Sequence, residues 1–182
     1  MNPISFEQAT SADVLAIAAL HSNSWRENYK GIVSDDYLEN QVEQNRIDTW
    51  QSRFDDPKSN QWVLLAKADN ELVGFICLYG EHHPEYGTII DNLHVDSKFK
   101  GRGIGTQLLN KGAEWAKEYY PQSAVYLEVL SKNSAAIGFY QSLGGKHIGN
   151  AIWNAPCGTK VEESLYQWGR PESLLMLSGK RT

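Results

Sequence analysis

From Lys98 to Gly105 the chain reads Lys-Phe-Lys-Gly-Arg-Gly-Ile-Gly, three glycines and three cations in eight residues. The stretch follows an apolar run ending at Val95. It precedes apolar residues at 104, 108, 109, 115, 116 and 119, the spacing of an amphipathic helix stopped by Pro121. The first N–H groups of a helix have no partner inside it, and the helix dipole places partial positive charge there. Glycine lets that backbone approach a ligand closely. Lys98, Lys100 and Arg102 add full charges beside it. The chemistry this suits is the binding of a phosphate or pyrophosphate at Gly101, Gly103, Ile104, Gly105 and Thr106.

Two familiar phosphate loops do not fit. A Walker A loop needs a Lys-Ser/Thr pair after its last glycine, and Thr106-Gln107 follows Gly105. A dinucleotide fingerprint needs glycine at the sixth position from Gly101, where Thr106 stands, and it belongs near the start of a βαβ chain. Elsewhere, Asp91 and Glu81 are carboxylates in or next to strands, and either could take a proton. His82 and His83 lie in a Glu-His-His-Pro-Glu-Tyr-Gly turn with no Cys or carboxylate at ligand spacing, so no metal site is expected. Cys77 and Cys157 stand 80 positions apart outside any Cys-x-x-Cys pattern, and they read as reduced thiols.

These residues need elements to hold them. Alternation over Ile4–Thr10 predicts a first strand. Ser11 or Asp13 offers a cap for a helix carrying Val14, Leu15, Ala18, Leu20, His21 and Trp25. Ser34 caps a second helical face running from Tyr37 to Phe54. Strands follow at Gln61–Ala68 and Glu71–Tyr79, joined at Asp69-Asn70 by a hairpin turn. Thr88–Val95 is a third central strand, followed by the Ile104–Tyr119 helix and a strand at Ala124–Leu130. Asn133 or Ser134 caps a short helix ending at Gly144-Gly145. Lys146–Trp153 and Lys160–Trp168 close the chain as paired strands. The order predicts one α/β (α+β) domain over residues 1–182, on a mixed, mostly antiparallel sheet of about seven strands with about four helices.

The run from Lys100 to Gly105 resembles motif A of the GNAT-type N-acetyltransferase superfamily, [Q/R]-x-x-G-x-[G/A], with Lys100 in place of Gln or Arg. The cation is kept and the bidentate geometry lost. Leu127–Gly145 resembles motif B, with Asn133, Ala136 and Tyr140 at its Asn-x-x-Ala-x-x-x-Tyr spacing. The two motifs stand in the family's order, and the elements fit from Ile4 to Trp168. The resemblance implies acetyl-CoA as co-substrate, bound where strands 4 and 5 splay apart. The N–H groups of Lys100, Gly101, Arg102, Gly103, Ile104, Gly105 and Thr106 would face the pyrophosphate. The backbone of Leu93, His94 and Val95 would run beside the pantetheine, with one N–H polarising the thioester carbonyl. Asn133 would bond the pantetheine and Tyr140 would protonate the leaving thiolate. Many members carry a glutamate base six residues before the position of Val95; here Ile89 stands there, which leaves Asp91 or Glu81 through water. Trp25 and Tyr29 resemble an aromatic run that lines acceptor sites in small-molecule members.

Composition bounds the rest. A formal charge of −5, from 17 basic and 22 acidic residues, argues against nucleic acid and anionic membranes as partners. Yet residues 96–111 hold Lys98, Lys100, Arg102 and Lys111 against Asp96 alone, a cationic island sized for one pyrophosphate. No apolar run is long enough for a membrane span, and the first residues do not read as a signal peptide, so a cytoplasmic protein is expected. The aromatic content allows a homodimer. The function expected is acetyl transfer from acetyl-CoA to a primary amine of a small molecule, by direct attack in a ternary complex. A protein N-terminus or lysine as acceptor, a non-catalytic acyl-CoA-binding module and a nucleotide-binding protein are the competing readings.

Overall fold

The computed structural model describes residues 3–178. Its elements, in chain order, are β1 (Ile4–Gln8), α1 (Val14–Asn28), α2 (Asp35–Asn40), α3 (Val42–Asp55), β2 (Gln61–Ala68), β3 (Glu71–His83), β4 (Gly87–Val95), α4 (Ile104–Tyr119), β5 (Val125–Leu130), α5 (Ser134–Ser142), β6 (Lys146–Asn154), β7 (Lys160–Trp168) and α6 (Pro171–Ser178). The strands form one seven-stranded sheet in the order β1-β2-β3-β4-β5-β7-β6. The β1–β2, β5–β7 and β6–β7 ladders are antiparallel and β4–β5 is parallel, so the mixed α/β sheet expected from sequence is present.

Local chemistry explains most boundaries. Asp69 and Asn70 both take positive φ, 50° and 66°, the geometry of a tight hairpin between β2 and β3. The Ser34 hydroxyl accepts from Tyr37 N–H at 3.1 Å and starts α2. Asn133 Oδ1 accepts from Ala136 N–H at 3.1 Å and starts α5, while Gly144 ends that helix at φ 79°. Asp13 does not cap α1 with its side chain; its carboxylate instead accepts from Thr10 N–H at 2.9 Å.

Three features depart from the sequence reading. The face from Tyr37 to Phe54 is two helices broken at Gln41, whose backbone leaves helical geometry at φ −124°. Asp36 gathers the side-chain amides of Asn40 and Gln41 at that break, both at 2.9 Å. Strand β3 continues to His83, so His82 and His83 lie on a strand end and not in a turn. With α6, the described residues hold six helices in place of about four.

The chain packs as two compact units, which β3, β4 and α4 traverse. One runs to Cys77 and includes Asn92–Leu108; the other is Leu78–Asp91 with the chain from Leu109 onward. The core of the first is built on Ile17, Trp50, Leu65, Phe75, Ile104 and Leu108, all nearly or fully buried. The second is built on Leu109, Tyr126, Leu127, Leu143 and Trp168. Trp168 Nε1–H donates to the Leu143 carbonyl at 2.8 Å, tying β7 to the end of α5. Neither Cys77 nor Cys157 is in a disulfide.

Candidate active site

In the first unit, β4 ends at Val95 and the chain turns sharply. Asp96 Oδ1 accepts from Lys98 N–H at 2.8 Å and nucleates one tight turn over Ser97–Phe99. Gly101 and Gly103 then each adopt φ 77°, a conformation that strains any residue with a Cβ. A Cβ at Gly101 would meet nothing within 4 Å, and one at Gly103 only the Gln107 side chain at 3.9 Å. The glycines therefore serve the backbone path, and open space lies above the loop. Ile104 and Leu108 anchor α4 against Gly74, where the fit is close: a Cβ there would stand 3.2 Å from Leu108. The first turn of α4 is thus held firmly, with its N–H ends beside an open loop. Lys100 and Arg102 are exposed on it; the Arg102 guanidinium lies 4.7 Å over the Phe99 ring. Glu27 of α1 reaches the same loop, accepting from Ser97 Oγ at 2.8 Å and standing 4.0 Å from Lys100 Nζ. A cleft of about 260 Å³ opens there, lined by Ser24, Glu27, Val95, Asp96 and Lys98 among others.

Leu93 and Val95 are half-buried, and His94 alternates to the opposite face of β4. His94 Nδ1 lies 2.8 Å from Ser24 Oγ, and its ring packs 4.5 Å from His21 and 5.3 Å from Phe75. Burial, and then the charges of Arg46 and Lys100, push the His94 pKa down to about 3. Fully buried His21 is held well below its ordinary value by burial, with His94, Arg46 and Arg53 adding to it. Trp25 is only 5% exposed, with Arg46 4.3 Å over its ring and Tyr29 4.9 Å away. Of the two aromatic residues expected at an acceptor site, Trp25 is a core side chain and Tyr29 the more accessible.

In the second unit, the parallel ladder of β4 with β5 has two pairs, Thr88 with Val125 and Ile89 with Tyr126. The position where a glutamate base would stand is Ile89, 6% exposed and part of the core. Glu81 is exposed at φ 45°, with its N–H donating to Thr88 Oγ1 at 3.2 Å. Asp91 is half-buried and electrostatically coupled to Glu128 of β5 and Glu163 of β7. Leu130 pairs with Glu163 across β5–β7, so Tyr126, Glu128 and Glu163 share one face. Burial, then the negative charges of Glu128 and Asp91, push the Glu163 pKa up to about 7; Glu128 is raised for the same kinds of reason. Aromatic rings border these acids: Tyr86 stacks on His83 at 4.3 Å and lies 5.6 Å from Tyr126. Glu128 and Glu163 were missed in the sequence, although period-two alternation of Tyr126 and Glu128 was there to be read. Tyr140 on α5 is partly buried edge-on to Trp168 at 6.1 Å, and burial raises its pKa. Asn133 spends its Oδ1 on the helix cap, which leaves its Nδ2 as the group that can donate elsewhere.

A model of the acetyltransferase (GNAT) family matches residues 19–145. Over 94 residues the chain is 36% identical to an N-alpha-acetyltransferase of Sulfurisphaera tokodaii; the match takes in 47% of this chain and 56% of that protein, so it spans little more than half of that relative. It is 29% identical over 141 residues to a probable N-acetyltransferase of Mycobacterium tuberculosis, covering 76% of this chain and 77% of the other. The solved structure of PaiA N-acetyltransferase from Thermoplasma acidophilum, in complex with coenzyme A, superposes with a TM-score of 0.68 at 21% identity, over 88% of this chain and 98% of that one. At that identity the likeness speaks for the fold. The family match takes in both the glycine loop and the Asn133–Tyr140 segment, and the chain belongs to the acetyltransferase (GNAT) family.

Proposed function

We propose that this protein transfers the acetyl group of acetyl-CoA to a primary amine on a small cationic molecule. The observation that carries the reading is the open loop at the start of α4, with two left-handed glycines and nothing crowding Gly101. In the first unit, the N–H groups of Gly101–Thr106 take the pyrophosphate, with Lys100 and Arg102 screening its charge. The backbone of Leu93 and Val95 pairs with the pantetheine, and one N–H there stabilises the oxyanion that forms on the thioester carbonyl. The family and the CoA-bound neighbour fold support acetyl-CoA as the donor.

In the second unit, Asp91, Glu128 and Glu163 beside Tyr86 and Tyr126 suit a cationic acceptor, since carboxylates and aromatic faces both attract ammonium groups. The ammonium must lose a proton before attack. Asp91, or Glu81 through water, accepts it; Glu163, with a pKa near neutrality, is a further acceptor. The neutral nitrogen then bonds to the thioester carbon, the C–S bond breaks, and the thiolate takes the phenolic proton of Tyr140; the second proton leaves the cationic nitrogen and returns through water to the Tyr140 phenolate, giving the neutral amide and free CoA thiol. Burial keeps that phenol protonated until the thiolate departs, and also makes it a weaker acid. Asn133 Nδ2 bonds the pantetheine.

The test is release of free thiol from acetyl-CoA with mono-amines, di-amines and peptides as acceptors. Turnover with di-amines above the mono-amines is the expected result. Turnover with peptides alone would move the acceptor to a protein N-terminus or lysine, a reading the N-alpha-acetyltransferase relative favours. Acetyl-CoA binding with no thiol released by any amine would leave a non-catalytic acyl-CoA module.

A further inference from the structure

Past Ile89, β4 has no β5 partner; its other edge lies against β3, where Asp96 N–H donates to the Val73 carbonyl at 2.9 Å, and side-chain bonds add to that hold over its last residues. Within the first unit, two helices reach its alternate side chains. From α3, Arg53 Nη1 donates to Asn92 Oδ1 at 3.0 Å, and from α1, Ser24 Oγ meets His94 Nδ1 at 2.8 Å. Asn28 Nδ2 donates to the Ser24 carbonyl at 2.7 Å and to the Ser24 hydroxyl oxygen at 3.4 Å, which fixes the serine beside His94. Behind His94 stands His21, locked in turn: Trp50 Nε1–H, which can only donate, points at His21 Nδ1 at 3.0 Å and leaves the ring proton on Nε2. That Nε2 is buried without a hydrogen-bond partner. A buried donor left unsatisfied is costly, and the His21 ring lies with its centroid 4.5 Å from that of His94.

We propose that Ser24 and Asn92, acting through the bonds Ser24–His94 and Arg53–Asn92, are positioning residues that hold Leu93 and Val95 at the height at which their backbone meets the pantetheine and thioester of acetyl-CoA. Neither side chain touches the reacting atoms; each acts through the strand. The inference rests on the acetyl-CoA reading above. It separates two ends of one ligand, because the glycine loop holds the pyrophosphate and these two bonds hold the strand.

The experiment is calorimetric titration of the full chain, wild type and the Ser24→Ala/Asn92→Ala double variant, with acetyl-CoA and with 3′-phospho-ADP, which keeps the phosphates and lacks the pantetheine. The double variant is expected to bind acetyl-CoA about tenfold more weakly, the equivalent of one or two ordinary hydrogen bonds, and 3′-phospho-ADP as the wild type does. Unchanged acetyl-CoA affinity overturns the positioning role. Equal weakening of both ligands overturns it too, since it shows that the bonds hold only the fold. If the wild type binds neither ligand, the acetyl-CoA reading itself falls and the inference with it.

Discussion

Gly103 combines φ 77° with open surroundings, so a side chain there has room to stand but also a strained backbone to bear. Gly103→Ala isolates the strain, about 1 kcal/mol. Gly103→Glu adds bulk and negative charge where the pyrophosphate is proposed to lie. Calorimetry should find acetyl-CoA binding reduced in the alanine variant and abolished in the glutamate one; equal binding by both would remove the loop from the site. Tyr140 makes a different kind of claim, because its proposed work is confined to the departing thiolate. Tyr140→Phe keeps the edge-on packing with Trp168 and removes one proton, so kcat should fall by about 10²-fold with KM for acetyl-CoA little changed. An unaltered kcat would return Tyr140 to the core. Asn133 has an observed duty as the α5 cap and a proposed one toward the pantetheine, and the two are separable. Asn133→Asp keeps the oxygen that caps α5 and loses the Nδ2 donor, so thermal stability should hold while acetyl-CoA binding weakens. Binding at the wild-type level would make the cap its whole role.

At the scale of elements, what the sequence discloses is what is decided locally. The amphipathic spacing of α4, the left-handed Asp69-Asn70 turn and the Ser34 and Asn133 caps depend on residues within a few positions, and each stands where the sequence puts it. The glycine loop is legible for the same reason: its path needs positive φ at Gly101 and Gly103, whatever lies around it. The break at Gln41 is less legible, because it depends on one carboxylate, Asp36, drawing in two amides that a helical pattern would leave outward. The gathering of Asp91, Glu128 and Glu163 was illegible, since it depends on which strands become neighbours, β5 beside β7 in place of β6. Strand order is a long-range outcome that periodicity cannot supply. The cap at Ser34 allows a check of the local argument. Ser34→Ala removes the acceptor for Tyr37 N–H and should destabilise the protein by about 1 kcal/mol in chemical denaturation, with no effect on acetyl-CoA affinity. A larger loss coupled to ligand affinity would show that α2 does more than pack.

Across the whole molecule, the net charge of −5 is an average over a basic loop and an acidic remainder, and no described helix is long and apolar enough to cross a membrane. The titratable groups shifted by burial give stability two opposed dependences on pH. His21 and His94 have folded pKa values below the ordinary 6.5, so below that pH the unfolded chain binds more protons than the folded one. Stability from this pair is full above pH 6.5 and is lost as the pH falls, for His94 toward about 3. Glu163 acts the other way. Its folded value of about 7 lies above the ordinary 4.5, so the folded chain holds the extra proton in that window. Its contribution is full below pH 4.5 and is lost as the pH rises through about 7. Glu163→Gln keeps the shape and removes the ionisation. The variant should therefore exceed the wild type in stability at pH 8 by about 1–2 kcal/mol, allowing for solvent screening of a part-exposed group. At pH 4 the two should coincide, because the wild-type carboxyl is then protonated in both states. Urea denaturation at the two pH values measures this. Curves that coincide at pH 8 would mean that the acids of β4, β5 and β7 do not crowd one another. The electrostatic ground for a cationic acceptor would go with them.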